Sequence, residues 1–385
     1  MLEEAAPRLL VAGVGLRGSG YPNASNTLRM LRDTRRIEVI ECGSWLPEQT
    51  HLWKIAKGPR RKALPFLIRL LSANASSAIR LLRENREGDL TYVPYPGLFL
   101  LWLLSWVPRR WRPRCICDAY ITIWDSLYQD RNLGTATSGF SRLLLRIESR
   151  ALRAAEHVIA DTQANASHIH QLFGVCHKRI HAFPLALDAS TCPAPGIAHP
   201  TDHKIRVVFI GTFVPLQGTT VIAQAIDKLR GHAALEFILI GDGQQAEEAA
   251  HWLQGNPAVT WLRGWQSPQV IAEHLAQADI CLGVFGGGGK AARVLPFKLY
   301  MAMATGKAII TQQDYSLPSK LPPLPAHCIP ATAQALAEAI LTLASAPEQR
   351  KSLGKQATSY YQQHLSTVVL RQHWQHLLVT SSKLR

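Results

Sequence analysis

The stretch Asp279–Thr311, DICLGVFGGGGKAARVLPFKLYMAMATGKAIIT, constrains this chain more than any other. Ile280 to Phe285 is a short apolar run and predicts a buried strand. Gly286 to Gly289 follow, four residues whose bare backbone can approach a ligand and turn N–H groups toward it. Lys290 and Arg293 add two positive charges, and Pro296 suits the first turn of a helix. That helix is predicted to run to about Ala304, to stop at Gly306, and to hand over to a second strand at Ala308–Thr311. Strand, glycine loop, cations and helix N-terminus together describe an anion site, with phosphate the best fit. The same glycines also suit a plain loop between two core elements.

The rest of the chain repeats this alternation of strand, loop and helix. Arg8–Val14 predicts a strand running into a loop with Gly15, Gly18 and Gly20. The spacing is G-x-x-G-x-G and not the G-x-G-x-x-G of dinucleotide sites, so a nicotinamide cofactor is poorly supported. A helix over Asn26–Arg35, then strands at Ile37–Glu41, Leu90–Val93, Cys115–Ile123 and His157–Asp161, continue a parallel α/β pattern. In DAYITIWDSLYQDR, Asp118, Asp125, Asp130 and Arg131 follow a strand, where carboxylates can face a ligand crevice; each could equally be a cap or an ion-pair partner. Pro193, Pro195, Gly196 and Pro200 mark a linker at Ala189–His203. A second α/β unit then opens with Lys204–Ile210 and the loop GTFVPLQG, Gly211 to Gly218. A length of 385 residues suits two domains. We expect one over 1–190, rejoined by a C-terminal helix at 364–385, and one over 204–362.

Charge points to partners. The formal net charge is +15, and residues 51–114 hold thirteen Lys or Arg against three acids. Such a field implies an anionic partner. Within it, Leu64, Phe66, Leu67, Leu70, Leu71, Ile79 and Leu82 are interspersed with Lys and Arg in a helical pattern. That helix either lies on a membrane surface or packs on the sheet with its arginines in water. LFLLWLLSWV, residues 98–107, is too short to span a bilayer. It is either a buried helix or a half-exposed one with Trp102, Trp106 and Trp111 at headgroup depth beside Arg109, Arg110, Arg112 and Arg114. No nucleic-acid-binding module is recognisable, so a nucleic-acid partner is not expected. Seven cysteines without a C-x-x-C, and an acidic N-terminus with no basic leader, suggest reduced thiols and a cytoplasmic setting. Fifteen histidines form no metal-ligand spacing, so no metal is expected.

The order GTFVPLQG, LIGDG, LRGW and then ADICLGVFG through LYMAMATGKAII resembles the second domain of GT-B glycosyltransferases, most closely family 4, the retaining, metal-independent group. CDAYITIWDSLYQDR and HVIADTQANASHI resemble the first domain more loosely. The resemblance implies two Rossmann-like domains facing a cleft, with a nucleoside-diphosphate sugar as donor substrate and no cofactor. It places donor contacts at Gly211, Thr212, Gln217, Gly218, Gly264, Trp265, Gly287, Gly288, Lys290, Arg293, Lys298 and Met301. The loop with Gly18 and Gly20 then serves the acceptor side, and Asp118 and Asp125 are candidates for the catalytic, acceptor or sugar contacts. The acceptor implied is lipid-linked or a glycan of the cell envelope, reached by an enzyme peripheral to the inner face of the plasma membrane. Backbone amides and cations can stabilise a departing diphosphate without a metal, and that diphosphate helps take the acceptor proton. The chain departs from the family where Thr212 and Gln217 replace cations, and where Arg293 and Met301 replace a pair of glutamates. These departures leave room for a catalytically inactive binding protein, or for another GT-B enzyme such as a sugar-nucleotide epimerase.

Overall fold

A computed structural model describes residues 7–17, 21–34, 37–47, 60–131, 134–188, 192–193 and 204–382. Two units emerge from the contacts: residues 1–128, 132–186 and 370–385 form one, and 129–131 with 187–369 the other. The first holds β1 (Arg8–Val11), β2 (Val14–Gly15), α1 (Pro22–Arg32), β3 (Glu38–Glu41), β4 (Ser44–Trp45), α2 (Arg60–Glu84), β5 (Leu90–Val93), α3 (Leu98–Leu104), β6 (Cys115–Asp118), α4 (Gly139–Ala154), β7 (His157–Ala160), α5 (Gln163–Phe173) and β8 (Ile180–Ala182). Its six-stranded sheet runs β3-β1-β5-β6-β7-β8, parallel throughout, with a separate parallel pair β2-β4. Buried on both faces, these strands are near-continuous apolar runs.

The second unit holds β9 (Ile205–Ile210), α6 (Thr219–Lys228), β10 (Leu235–Ile240), α7 (Ala246–Leu253), β11 (Val259–Leu262), α8 (Pro268–Ala276), β12 (Ile280–Leu282), α9 (Phe297–Ala304), β13 (Ala308–Gln312), β14 (His327–Ile329), α10 (Ala333–Ala344) and α11 (Pro347–Tyr360). The strand order β11-β10-β9-β12-β13-β14 is the doubly wound one, with every pairing parallel. The order reverses between β9 and β12, which pair Val207 with Ile280 and Phe209 with Leu282. In such sheets the loops leaving the carboxyl ends at the reversal diverge to opposite faces and open a crevice. The two loops concerned are Gly211–Gly218 and Gly283–Pro296.

A final helix, α12 (Thr367–Ser382), joins the first unit from Leu370 onward. Leu370, Trp374, Leu377 and Leu378 are buried with Leu9, Val11, Tyr92, Ile116 and Ile159. Trp374 meets Tyr92 edge-on at 5.4 Å between ring centres.

Several boundaries differ from expectation. The strand foreseen to Phe285 ends at Leu282, since Gly283, with Thr311 pressed against its Cα, starts the loop. The strand foreseen to Ile123 ends at Asp118 and gives way to a helical turn at Ile123–Asp125. Two amides of that turn, from Ile123 and Trp124, donate to the Glu148 carboxylate on α4 at 2.7 and 2.8 Å. Pro296 caps α9 from outside the helix, in an extended conformation. Among the described residues, no helix is long and apolar enough to cross a membrane.

Candidate functional site

The loop after β9 is built around Gln217. Its Oε1 accepts the Thr212 N–H at 3.2 Å and a Lys298 Nζ proton at 3.0 Å, and its Nε2 donates to Thr212 Oγ1 at 3.1 Å. The amide lies so close over Gly211 that a Cβ there would overlap Oε1. At the far end Gly218, with φ +66°, abuts the Phe285 backbone, where a side chain would overlap the carbonyl. Phe285 N–H donates to the Gln217 carbonyl at 3.1 Å, so the two switch-point loops are joined backbone to backbone.

Phe213, inside the same loop, has φ +42° and is the one non-glycine residue with positive φ among those described. Such a conformation costs about 1–3 kcal/mol and persists only where its surroundings enforce it. Here the ring is fully buried, stacked on Trp261 at 5.0 Å and 18°, and its carbonyl accepts the Gln245 N–H at 2.8 Å. Trp261 is itself fixed by donating Nε1–H to the Gly241 carbonyl at 2.9 Å. Past Trp261, Arg263 binds Glu247 at 2.7 Å, Gly264 takes φ +80°, and Trp265 stands half exposed. An aromatic face of that kind can stack a heterocyclic base.

In the loop after β12, the Gln312 side chain grips Gly287 twice, accepting its N–H at 2.9 Å and donating to its carbonyl at 2.9 Å. Among the described residues the amides of Gly288 and Gly289 have no partner, and both glycines border open space. Lys290 is engaged elsewhere: it is buried, and its Nζ donates to Asp130 Oδ2 at 2.8 Å. Arg293 is half-buried beyond it. Lys298, in the first turn of α9, reaches back to Gln217 with its ammonium 3.9 Å from the Phe209 ring centre. Burial holds its pKa well below the usual lysine value. Met301 lies buried one turn further along the helix.

The carboxylates of the first unit are built into it. Asp118 is buried at the end of β6, accepting the Tyr92 hydroxyl at 2.8 Å and the Tyr120 N–H at 3.3 Å. Burial raises its pKa to about 6, against the lowering effect of these hydrogen bonds. Asp125, also buried, faces His168 Nε2 across 3.1 Å. The acceptor-side glycines Gly18 and Gly20 lie outside the described residues. Among the described residues, no three His, Cys, Asp or Glu side chains gather as a metal site.

Sequence reasoning did not single out Gln312, Phe209 or His168, and it named Asp130 as a carboxylate near a crevice without its lysine partner. The partners of all four lie 25 to 160 residues away, and no short-range spacing signals them.

Residues 204–346 match the family model of glycosyl transferases group 1. The whole chain superposes on solved structures with two parallel sheets of this kind. HepE of Anabaena, solved in complex with UDP-glucose, aligns with a TM-score of 0.67 at 16% identity, over 97% of this chain and 99% of that one. A sucrose-phosphate synthase of Thermosynechococcus elongatus aligns at 0.68 and 16%, over 97% and 99%. The second unit thus matches a glycosyl transferases group 1 domain, and the chain shares the fold of these GT-B structures. The N-terminal domain of the trehalose-6-phosphate phosphatase of Candida albicans aligns equally well, at 0.68 and 10% identity, over 99% of this chain and 98% of that one. At such identities the likeness concerns the fold. No curated protein matches this chain at the level of sequence.

Proposed function

We propose that this chain moves a sugar from a nucleoside-diphosphate sugar to a lipid-linked or glycan acceptor in cell-envelope synthesis, with retention and without a metal. The observation that carries the donor half is the loop pair at the β9/β12 reversal. It offers amides at Gly288 and Gly289 that have no partner among the described residues, a cation at Lys298 and an exposed aromatic at Trp265. Amides and cations fixed before the reaction stabilise charge as it develops on a leaving diphosphate. HepE was solved with UDP-glucose, so a UDP-sugar is the first donor to try. Arg293 and the end of α9 near Met301 complete this reading of the donor site, with Asp118 and Asp125 on the acceptor side.

The acceptor half rests on the outer surface of the first unit. Along α2 the inner face is Leu70, Asn74, Ser77 and Leu81, whereas Leu64, Leu67, Ile68, Leu71, Ile79 and Leu82 face outward. An amphipathic helix of a soluble domain normally turns its apolar stripe inward. The segment after α3 adds Trp106 and Trp111 to this apolar surface, and α4 adds Phe140 and Leu143. Arg150 covers the Trp106 ring at 3.8 Å and Arg110 the Trp111 ring at 4.2 Å. Exposed apolar groups ringed by arginine and tryptophan suit an anionic lipid surface, which we read as the inner face of the plasma membrane.

Thermal unfolding against a panel of sugar nucleotides tests the donor: one of them should raise the midpoint in a concentration-dependent way. Nucleoside diphosphate should then be released when membrane extract is added. Donor stabilisation with no release under any acceptor would mark a binding protein and sink the catalytic reading.

A further inference from the structure

The carboxyl end of α12 is held to the first sheet by histidines. His157, at the start of β7, and His181, in β8, lie on neighbouring strands, and their rings meet Nδ1 to Nε2 across 2.9 Å. The other ring nitrogen of His157 lies 2.9 Å from Ser381 Oγ on α12, while Arg114 donates to the Ser381 carbonyl at 2.7 Å. From the same helix, His373 stacks on Phe183 at 5.2 Å, and His376 is close enough to repel a charge on His181 or His373. Two more charges border the patch. Glu156 lies 3.7 Å from His157 and binds Arg114 at 2.6 Å, and Arg179 donates to the Glu156 carbonyl at 3.0 Å. The carboxylate beside the pair therefore already has its cation.

A ring-to-ring hydrogen bond needs one nitrogen with a proton and one without. The pair can therefore take one proton beyond its neutral form, and a second would set two N–H groups facing each other across 2.9 Å. Burial holds His157 and His373 below the usual histidine value, and burial with His157 and His376 nearby brings His181 down to about 4. With α12 in place the patch resists protons that it would accept near pH 6.5 once the helix is away. Stability from the patch is thus complete above about pH 6.5 and is lost as pH falls from there toward 4. We propose that these histidines form an acid-sensitive latch, whose protonation releases the carboxyl end of α12 from the first unit. The consequence reaches the candidate site, because Trp374 of α12 packs on Tyr92, and the Tyr92 hydroxyl donates to Asp118. Asp118 titrates in the opposite sense, since its raised pKa favours the folded state in acid, so it cannot produce the release. The latch is independent of which donor or acceptor the protein takes.

Hydrogen exchange of the full-length protein, read by mass spectrometry from about pH 7.5 to about 4.5 and corrected for intrinsic exchange rates, tests this. Protection of α12 should fall roughly a hundredfold over that range, while that of α10 in the second unit changes less than about threefold. His181→Gln places an amide near the position of Nε2 and cannot become charged; it should reduce the fall at least about tenfold. His376→Glu, on the exposed side of α12, sets a carboxylate beside His181 and should move the fall to lower pH without loss of protection at neutral pH. Wild-type protection of α12 that stays constant across the range overturns the latch, as does an acid loss that both variants show unaltered. An equal loss in α10 overturns it too, because the whole chain would then be unfolding in acid.

Discussion

Single residues here are decided by what surrounds them. Asp118 looks in the sequence like an acid at the mouth of a crevice; in the fold it is sealed beneath Tyr92 and Tyr120. Its pKa, raised from 3.8 to about 6, means that the folded protein holds a proton the unfolded chain has lost between those values. Stability from this group therefore falls as pH rises from about 3.8 to 6 and is level above. Asp118→Asn should abolish that slope and raise stability at pH 7 by at most about 3 kcal/mol, read from denaturant unfolding at several pH values. A slope that survives the substitution would assign the titration to another group. The lysines divide in the same way. Lys290 and Lys298 are equivalent as letters, yet one has a carboxylate 2.8 Å away and the other, among the described residues, has an amide oxygen at 3.0 Å instead. Because burial lowers the proton affinity of Lys298, binding a diphosphate there should draw a proton from solution. Calorimetry in buffers of different ionisation enthalpy would show it, and Lys298→Met should remove the uptake.

At the scale of elements, α2 was ambiguous in the sequence because a helical pattern of Leu and Arg fixes the period and not which side faces in. Ser77 settles the matter locally: its hydroxyl accepts the Gly13 N–H at 2.7 Å, so the face of Leu70, Asn74, Ser77 and Leu81 is turned inward. Six other apolar side chains are left outside among Arg69, Arg80 and Arg83. Leu67→Glu with Ile68→Glu should release the protein from vesicles containing anionic lipid, with a change in unfolding free energy within about 0.5 kcal/mol because both positions are exposed. Undiminished vesicle binding would refute the membrane reading. Arg112 is a poor choice for the same test, since its guanidinium donates to the Ser105 and Val107 carbonyls. Arg109 and Arg110 are exposed and serve better.

At the scale of the whole molecule, the first unit is discontinuous: its core is completed by α12, more than 180 residues beyond β8 in sequence. Trp374→Ala should destabilise that unit by about 3–5 kcal/mol and leave the second unit's transition in place, visible as two separated thermal unfolding steps. A single unshifted transition would show that α12 is dispensable. The sequence by itself determined the alternation of strands and helices and the glycine loop that follows the strand ending near Phe285. Those features have a period of two or 3.6 residues, or a spacing of a few positions, and can be read locally. The tertiary structure alone decided which carboxylates are buried, which face of α2 meets solvent, and which lysine faces a carboxylate. Burial and charge compensation depend on groups 81 and 160 residues apart, as Gln217 is from Lys298 and Asp130 from Lys290. No local pattern encodes those distances, because the field at a side chain is a sum over whatever the fold brings near it.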